Sequence, residues 1–420
     1  MGKLLLALGI TGLAACSGER ERNTAGWTTV FDSTGDTIVA RVTGDVDSVP
    51  ASRLVLEQRI GEAEGTDSVT FGQIWHIAVT DDNRVFVHDQ NGPTVKLFDS
   101  TGTLMRFVGR KGAGPGEFEQ IAGMDVLPNG QLALWDASHA RVNIYSADGE
   151  YVRTWRVPVS GFFTSSALRA DGTGAIALRI PVFRKSLELG SDDTYVRFDS
   201  VGNIRDTIRV PAWIGPAPQL VGTRGNPGQV MVSMTLPMAP QLVHTWSKSG
   251  VLVSGPSAPY AVYLTSSSSR PLKLDRAWTA APVLPEEREE LREQVTWQIR
   301  TSIPEWTWNG PDVPTSKPAH SRLLTGEDGA IWIGLHGIAE RIAEEPAATA
   351  GGANAPPPRR YREPNVYDVF GADGRYLGKV RAESGQALMR MRGNRVWGVL
   401  ADSLGVPYIA RWRVEPPFPL

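Results

Sequence analysis

A repeat of 47 residues constrains this chain more than any other feature of its sequence. Asp89 and Asp136 each end a short apolar run, Gly102 and Gly149 each follow the next run, and both pairs are 47 residues apart. Within each copy, apolar residues alternate with polar ones or run in fours between Asn-Gly, Asp-Gly and Thr-Gly pairs, which is typical of strands joined by hairpin turns. A fixed period over several strands predicts a propeller or a solenoid.

One type of turn recurs along the chain. An aromatic residue is followed four positions later by glycine in six segments: Phe31–Gly35, Phe98–Gly102, Tyr145–Gly149, Phe198–Gly202, Trp246–Gly250 and Phe370–Gly374. Glycine supplies the positive φ that such hairpin turns need, and Asp or Ser can bond the turn backbone. A single four-stranded sheet cannot bury both faces, whereas copies arranged radially cover one another. We therefore predict an all-β ring of four-stranded antiparallel blades.

The segment from 112 to 142 carries a recognisable motif. Its diagnostic residues come in this order: Gly112-x-Gly114-x-Gly116-x-Phe118, Asn129-Gly130, Trp135-Asp136 and Arg141-Val142. This segment resembles an NHL repeat, and the whole chain resembles a bacterial six-bladed β-propeller lipoprotein. The resemblance implies six blades around a channel. Related six-bladed rings include lactonases and lyases that hold a metal ion with side chains from their inner strands.

The blades can be assigned by counting from this repeat. Five of them are predicted near residues 71–110, 119–158, 164–210, 219–256 and 320–381. The sixth would combine strand 54–60 with strands in 387–414, so that the two ends of the chain close the ring. The hairpin 27–43 is left over and is expected on the side or the base of the ring. A seventh blade within 257–319 is the alternative, although that span does not read as strands.

Two insertions interrupt the strand pattern. In 257–319, Pro285 suits the first turn of a helix, acidic residues follow it, and Pro304 ends it. An apolar stripe recurs every four residues along this helix at Leu291, Val295, Ile299 and Ile303. The stripe predicts a helix that covers a face or the mouth of the ring, with a lid or partner-binding helix as the alternative. The span 342–364, rich in Ala, Pro and Gly, predicts a flexible loop within blade five.

The first sixteen residues are predicted to be a lipoprotein signal peptide. Leu4–Leu13 is apolar but too short to span a bilayer as a stable helix. The sequence LAAC that ends at Cys16 resembles a bacterial lipobox, which implies lipidation of Cys16, the single cysteine of the chain. Residues 17–26 would tether a single domain, 27–420, to the membrane. Because Ser17 rather than Asp follows the cysteine, we expect the outer membrane rather than the inner one.

The balance of charge argues against nucleic acid as a partner. The chain has 43 Lys and Arg against 45 Asp and Glu, a formal net charge of −2. A nucleic-acid-binding protein would normally show a basic excess or stripe. The sequence also lacks the Gly-x-Ser-x-Gly elbow, the His-Glu-x-x-His motif, a phosphate loop and paired metal-binding cysteines.

Three residues are candidate metal ligands. His76 lies at the start of a predicted inner strand, Asp125 lies 49 residues later at a similar level, and His320 precedes the inner strand of blade five. Imidazole and carboxylate could hold a divalent ion such as Ca²⁺ or Zn²⁺ that polarises a carbonyl group or water. The alternative is that Asp125, which alternates with Met124 and Val126, is a polar residue of a water-filled channel.

Aromatic residues of the insertion give a second candidate site. Trp297, Trp306 and Trp308 lie close together in sequence, and tryptophan is enriched where proteins bind partners. The alternative is that these large side chains fill a core. We predict from the sequence a non-catalytic, envelope-anchored binding propeller that engages a protein, peptide or glycan without a cofactor. A lactonase-like, metal-dependent hydrolase or lyase with a site in the central channel is the alternative.

Overall fold

The computed structural model of this protein describes residues 26–66, 68–90, 92, 95–158, 168–182, 192–223, 230–343 and 355–419. Three predictions fall wholly or mainly outside these ranges: the signal peptide with Cys16, residues 17–25 of the tether, and residues 344–354 of the flexible loop. The described part of the chain is built mainly of strands, with one α-helix.

Three strands precede the first blade. They are β1 (Trp27–Thr34), β2 (Thr37–Gly44) and β3 (Ser52–Ile60). Blade one has four antiparallel strands: β4 (Ile74–Val79), β5 (Val85–Asp89), β6 (Val95–Phe98) and β7 (Leu104–Val108). A Gly-rich loop with two short strands, β8 (Arg110–Lys111) and β9 (Glu117–Phe118), leads to blade two. Blade two repeats the pattern with β10 (Ile121–Val126), β11 (Leu132–Asp136), β12 (Arg141–Tyr145) and β13 (Tyr151–Arg156).

The middle of the chain forms two more blades and a separate hairpin. Blade three consists of β14 (Leu168–Ala170), β15 (Ile176–Val182), β16 (Asp192–Phe198) and β17 (Ile204–Arg209). The hairpin is a two-stranded sheet of β18 (Gln219–Thr223) and β19 (Val230–Thr235). Blade four consists of β20 (Leu242–Trp246), β21 (Leu252–Pro256), β22 (Val262–Thr265) and β23 (Leu272–Arg276).

The last two blades follow helix α1 (Pro285–Arg300). Blade five begins with β24 (His320–Thr325) and β25 (Ile331–Leu335). An excursion with the short pair β26 (Glu340–Arg341) and β27 (Tyr361–Arg362) separates them from β28 (Asn365–Phe370) and β29 (Tyr376–Ala382). Blade six contains β30 (Gln386–Arg392), β31 (Arg395–Ala401) and β32 (Pro407–Glu415).

The six blades close into a ring through their first strands. Strand β10 lies against β4 and β14, β20 lies against β24, and β30 lies against both β24 and β4. Strand β3 completes blade six by pairing antiparallel with β32, with Leu54 opposite Val414. The predicted closure by the two chain ends is therefore confirmed, and it leaves no open edge between the first and last blades. The protein is a six-bladed β-propeller.

The hairpin of β1 and β2 extends the outer edge of blade four. Strand β2 pairs in parallel with β23, with Ile38 opposite Leu272. The Trp27 indole packs edge-on against Tyr376 of blade five and donates a 3.3 Å hydrogen bond to its carbonyl oxygen. The sequence predicted residues 27–43 on the side or the base of the ring, and the structure places them on the side.

Blade four does not lie where the sequence placed it. The prediction was 219–256, with an insertion at 257–319, but the blade spans Leu242–Arg276 and the insertion begins after it. The turn Trp246–Gly250 joins the first and second strands of blade four, whereas the equivalent turns in blades one, two, three and five join third and fourth strands. Both connections are tight hairpins that need the same residues, so the turn alone did not show which strand it followed.

The turn glycines adopt the predicted backbone conformation. In the six aromatic-to-glycine turns, φ is positive at Gly35 (58°), Gly102 (92°), Gly149 (83°), Gly202 (95°), Gly250 (75°) and Gly374 (87°). These are left-handed conformations that residues with a Cβ atom rarely adopt. The apolar side chains between the turns are buried between neighbouring blades. The largest of those that are fully buried are the tryptophans Trp135, Trp246, Trp332, Trp397 and Trp412.

The Gly-rich loop between blades one and two is fixed by Arg141. Its guanidinium donates to the Ala113 and Glu117 carbonyl oxygens, both at 2.7 Å, and to the Asp136 carboxylate at 3.1 Å. The Asp136 carboxylate also accepts the Gln120 N–H at 3.2 Å. The motif residues that identified the repeat therefore connect one blade to the next.

Helix α1 begins at Pro285, as predicted, and ends at Arg300, before Pro304. Three residues of its apolar stripe, Val295, Ile299 and Ile303, are buried in one cluster with the β18–β19 hairpin, including Leu220. The stripe is therefore used to attach the helix to this hairpin. No helix within the described ranges is long and apolar enough to cross a membrane.

Candidate functional site

The centre of the ring contains a cluster of five charged side chains, here called the channel cluster. Its members come from blades two to six in order: Asp125, Arg169, Lys248, Glu327 and Arg390. The Lys248 ammonium lies 3.2 Å from an Asp125 oxygen and 3.3 Å from a Glu327 oxygen. It also donates to the Val126 carbonyl oxygen at 2.7 Å. Arg390 lies 3.4 Å from Glu327, and Arg169 lies 3.7 Å from Asp125.

The electrostatics of the channel cluster lower the pKa of Asp125. Burial alone would raise the pKa of Asp125, but Lys248, Arg169 and Arg390 outweigh it and hold that pKa well below its usual range. Burial and repulsion from Arg169 lower the pKa of Arg390. Three cations face two carboxylates, so the cluster has one excess positive charge. The carboxylates are thus already bound by cations within the protein.

His76 lies on the first strand of blade one and forms a cross-strand pair with His88. The centroids of the two imidazole rings are 5.5 Å apart, and the ring planes differ by 10°. Burial lowers the pKa of His76 to about 4, and the nearby His88 and Arg390 add to the effect. Burial also lowers the pKa of His88 to about 4. Both rings are therefore neutral at physiological pH.

His320 is fully buried at the start of the first strand of blade five. Its ring packs edge-on against Tyr260 of blade four at 6.2 Å, and neither ring nitrogen has a hydrogen bond of standard geometry in the described structure, although the Pro256 backbone lies close enough to interact weakly. Burial lowers the pKa of His320 to about 4, against a smaller opposing effect of the Pro256 backbone. The side chain belongs to the packing between two blades.

The predicted metal-binding set of His76, Asp125 and His320 is not formed. Within the described residues, no three His, Cys, Asp or Glu side chains are placed to hold a metal ion together. His76 and Asp125 lie on inner strands, as predicted, and His320 is the first residue of the inner strand of blade five rather than preceding it. However, inner-strand side chains alternate between the two neighbouring blades, so a position on such a strand does not bring a side chain to a common point. Asp125 does meet its neighbours across the channel, but they are cations.

The three tryptophans of the insertion have different environments. Trp306 is buried beside α1, and its indole donates to the Val221 carbonyl oxygen at 2.9 Å. Trp308 packs against Trp306 at 6.2 Å and is covered by the Arg292 guanidinium, 4.7 Å from its ring centroid. These two residues hold the insertion together, which was the alternative interpretation. Trp297 is on another side of the helix.

Trp297 lines an open groove of about 780 Å³ along α1. The groove is formed by helix residues, the segment after the helix and one proline of the blade-five excursion: Glu289, Arg292, Glu293, Thr296, Trp297, Arg300, Thr301, Pro304 and Pro357. The volume falls in the range of known ligand sites, roughly 300 to 1,000 Å³. An aromatic ring, two prolines and charges of both signs line the groove.

A second, smaller cavity of about 260 Å³ lies at one mouth of the channel. Residues at or just after the end of each of the six inner strands line it, among them Asp81, Pro128, Gly172, Ser249, Asp328 and Arg392. We call this mouth the turn face. The inner strands therefore begin at the opposite side, the loop face, which also carries the connections between blades and between second and third strands.

Comparisons with known proteins agree with this architecture. A family model described as a 6-bladed beta-propeller matches residues 62–172. A search of curated proteins found no match to the sequence. A solved structure from Bacteroides vulgatus is 10% identical over 87% of this chain and 99% of that chain, with a TM-score of 0.51.

Two further solved structures are similar over most of their length. An exported protein of Bacteroides fragilis is 12% identical over 86% of this chain and 96% of that chain, with a TM-score of 0.47. A gluconolactonase of Xanthomonas campestris is 12% identical over 87% of this chain and 99% of that chain, with a TM-score of 0.37. At such identities, similarity of structure concerns the fold and not the function.

Proposed function

We propose that this propeller is a non-catalytic binding protein of the cell envelope that engages a protein, peptide or glycan on its loop face. The observation that carries the proposal is the groove along α1, where Trp297 lies among charged and proline residues. Tryptophan is enriched at the energetic centres of binding interfaces because it buries a large area with little loss of conformational freedom.

The positions of the insertions support this choice of face. The β18–β19 hairpin connects blades three and four, α1 connects blades four and five, and the excursion with β26 and β27 joins the second and third strands of blade five. All three connections emerge on the loop face. Additions to a rigid scaffold that gather on one side are the usual place for recognition.

The groove is built on a firmly held helix. The buried Lys317 ammonium lies 2.6 Å from the Glu287 carboxylate near the start of α1 and 3.4 Å from Glu363 of the excursion. Arg360 of the excursion lies 2.6 Å from the Glu293 carboxylate. These contacts join the helix, the excursion and the segment that leads into blade five. A fixed platform lowers the entropy lost on binding, which favours recognition.

The channel cluster supports binding rather than chemistry at the channel. Asp125 and Glu327 are the carboxylates best placed to act there, and both are bound by Lys248 and by arginines. Because its pKa is held well below the usual range, Asp125 is a weak base and has no proton to donate at neutral pH. The sequence-derived signal peptide and Cys16 support the assignment to the envelope, with the lipid as membrane anchor.

Photo-crosslinking in intact cells tests the proposal. A photoreactive residue would replace Thr296 in the groove, with Asp81 on the turn face as the matched control position. We expect a discrete crosslinked species from position 296 that is missing from position 81. Identical crosslinks from the two positions, or none from position 296, would contradict binding on the loop face. A glycan partner would be recognised by the loss of the species after glycosidase treatment.

A further inference from the structure

The two histidines of blade one form a cross-strand pair, and His76 also has a weak hydrogen-bond contact with the Ile121 backbone of blade two. His76 on β4 lies directly opposite His88 on β5, just after a register shift between the strands. Blades two and six have the same register shift between their first and second strands. The pair that follows the shift is Gly123 and Trp135 in blade two, and Arg390 and Trp397 in blade six. Blades two and six therefore fill this position without histidine. Of the three blades compared, only blade one has two imidazoles facing each other.

The His88 side chain has unused binding capacity. It is 8% exposed, and its buried Nδ1 has no hydrogen-bond partner in the described structure. His139, His244 and His336 each contact a carboxylate, of Asp136, Asp193 and Glu363 respectively. The ring nitrogens of His320 also lack a partner of standard geometry, but that side chain is completely buried between two blades. A buried nitrogen without a partner costs free energy, which a ligand for that nitrogen would recover.

We propose that His76 and His88 together bind a divalent transition-metal ion of the kind that imidazole prefers, Cu²⁺, Ni²⁺ or Zn²⁺. Ions bound by histidine lie about 2.0–2.1 Å from the nitrogen, which places the ring centroids of two ligands roughly 5 to 6 Å apart. The observed separation is 5.5 Å, but the rings are stacked with planes only 10° apart, so both rings must turn before their nitrogens can meet at one ion. Rotation about χ2 aims either ring nitrogen at a shared point, because this torsion has broad minima. Water completes the coordination.

The surroundings select the type of ion. The Arg390 guanidinium acts electrostatically on His76 and the Asp89 carboxylate acts on His88, but among the described residues no carboxylate joins the two imidazoles in a three-residue ligand group. Hard cations such as Ca²⁺ and Mg²⁺ depend on oxygen ligands and negative charge, so this pair excludes them. A borderline ion held by coordination to nitrogen tolerates the nearby positive charge, and affinity should follow the order Cu²⁺ above Ni²⁺ and Zn²⁺. This inference is independent of the proposed binding function.

Metal titration of the purified protein tests the site. The protein is prepared without chelator and without a metal-affinity tag, and CuCl₂, NiCl₂, ZnCl₂ and CaCl₂ are titrated separately by calorimetry. We expect about one Cu²⁺ per chain, with an electron paramagnetic resonance spectrum that shows coupling to imidazole nitrogen, and no Ca²⁺ binding that depends on the pair. The near-isosteric variants His76→Gln and His88→Gln should each weaken Cu²⁺ binding by about tenfold or more.

The control variant is His139→Gln, which removes a histidine that already has a partner. It should retain the affinity of the wild type. Circular dichroism and thermal unfolding establish that each variant is folded, and the double variant His76→Gln/His88→Gln provides a second comparison. Equal Cu²⁺ affinity in the wild type and the folded His76 and His88 variants would mean an adventitious ion only and would overturn the proposal. Absence of nitrogen coupling in the wild type would overturn it as well.

Discussion

The Lys248 ammonium lies 3.2 Å from the Asp125 carboxylate, so that a turn of blade four is bonded to the inner strand of blade two across the channel. The same ammonium lies 3.3 Å from Glu327 of blade five. These side chains are almost completely buried, and each charge depends on the others for compensation. The ring is therefore joined at its centre by charge as well as by apolar packing between blades.

Removing one carboxylate of the channel cluster should destabilise the whole ring. We expect Asp125→Asn to lower the free energy of unfolding by about 3–5 kcal/mol, because Lys248 and Arg169 lose their buried partner. The control Asp81→Asn removes a carboxylate whose side chain is 92% exposed and should cost less than about 1 kcal/mol. Urea unfolding measures both. A loss below about 1 kcal/mol for Asp125→Asn would contradict the role given to the cluster.

A comparison of two glycine variants separates the free-energy cost of a steric clash between blades from the cost of backbone strain. Gly149 has φ of 83°, and a Cβ atom there would lie 2.5 Å from Val108 of blade one. Gly405 has nearly the same φ, 80°, but open space around it. We expect Gly405→Ala to cost about 1–2 kcal/mol and Gly149→Ala to cost a further 1–3 kcal/mol or so from overpacking. Equal costs in urea unfolding would show that the turn does not pack against blade one.

The buried His320 should make stability depend on pH. Its folded pKa is about 4, below the unfolded value of 6.5, so the unfolded state binds the proton first. Stability is therefore fully present above pH 6.5 and falls as the pH decreases toward 4, by roughly 3 kcal/mol from this residue. The variant His320→Asn should lose less stability over this range than the wild type does, which urea unfolding at a series of pH values measures. Parallel pH curves for His320→Asn and the wild type would contradict this assignment.

The lipid anchor predicted from the sequence has a simple test. Cys16→Ser removes the acyl-acceptor thiol, and we expect the protein to move from the membrane fraction to the soluble fraction. Ser17→Ala is the control and should remain with the membranes, because it leaves the cysteine in place. Cell fractionation followed by immunoblotting measures the distribution. If the Cys16→Ser protein stays in the membrane fraction, another segment holds it there.

Much of the fold was predictable because the strands and turns of the repeat are determined by residues close together in sequence. Alternating apolar residues and positive-φ glycines such as Gly102 and Gly149 specify strands and turns without reference to the rest of the chain. Closure by the chain ends followed from the strand at 54–60, which lacked its own partners. Blade four was misplaced because the turn at Trp246 has the same local requirements after a first strand as after a third strand.

The candidate sites were harder to predict because they depend on ring geometry. Arg169, Lys248, Glu327 and Arg390 belong to no motif, and only the closed ring brings them to Asp125. An alignment of blades two and three would have offered one signal, since Asp125 and Arg169 occupy equivalent positions one residue before the end of an inner strand. Trp306 and Trp308 pack within the insertion, whereas Trp297 lines the groove. Their closeness in sequence did not show that Trp297 lies on a different side of the helix.

The most direct measurement is the yield of the crosslinked species from position 296 in three backgrounds. These are the wild type, Trp297→Ala in the groove, and Tyr151→Ala, an exposed aromatic on the outer strand of blade two. If the groove along α1 binds the partner, Trp297→Ala should reduce the yield about tenfold or more, and Tyr151→Ala should leave it unchanged. An undiminished yield from a folded Trp297→Ala protein would contradict the central claim.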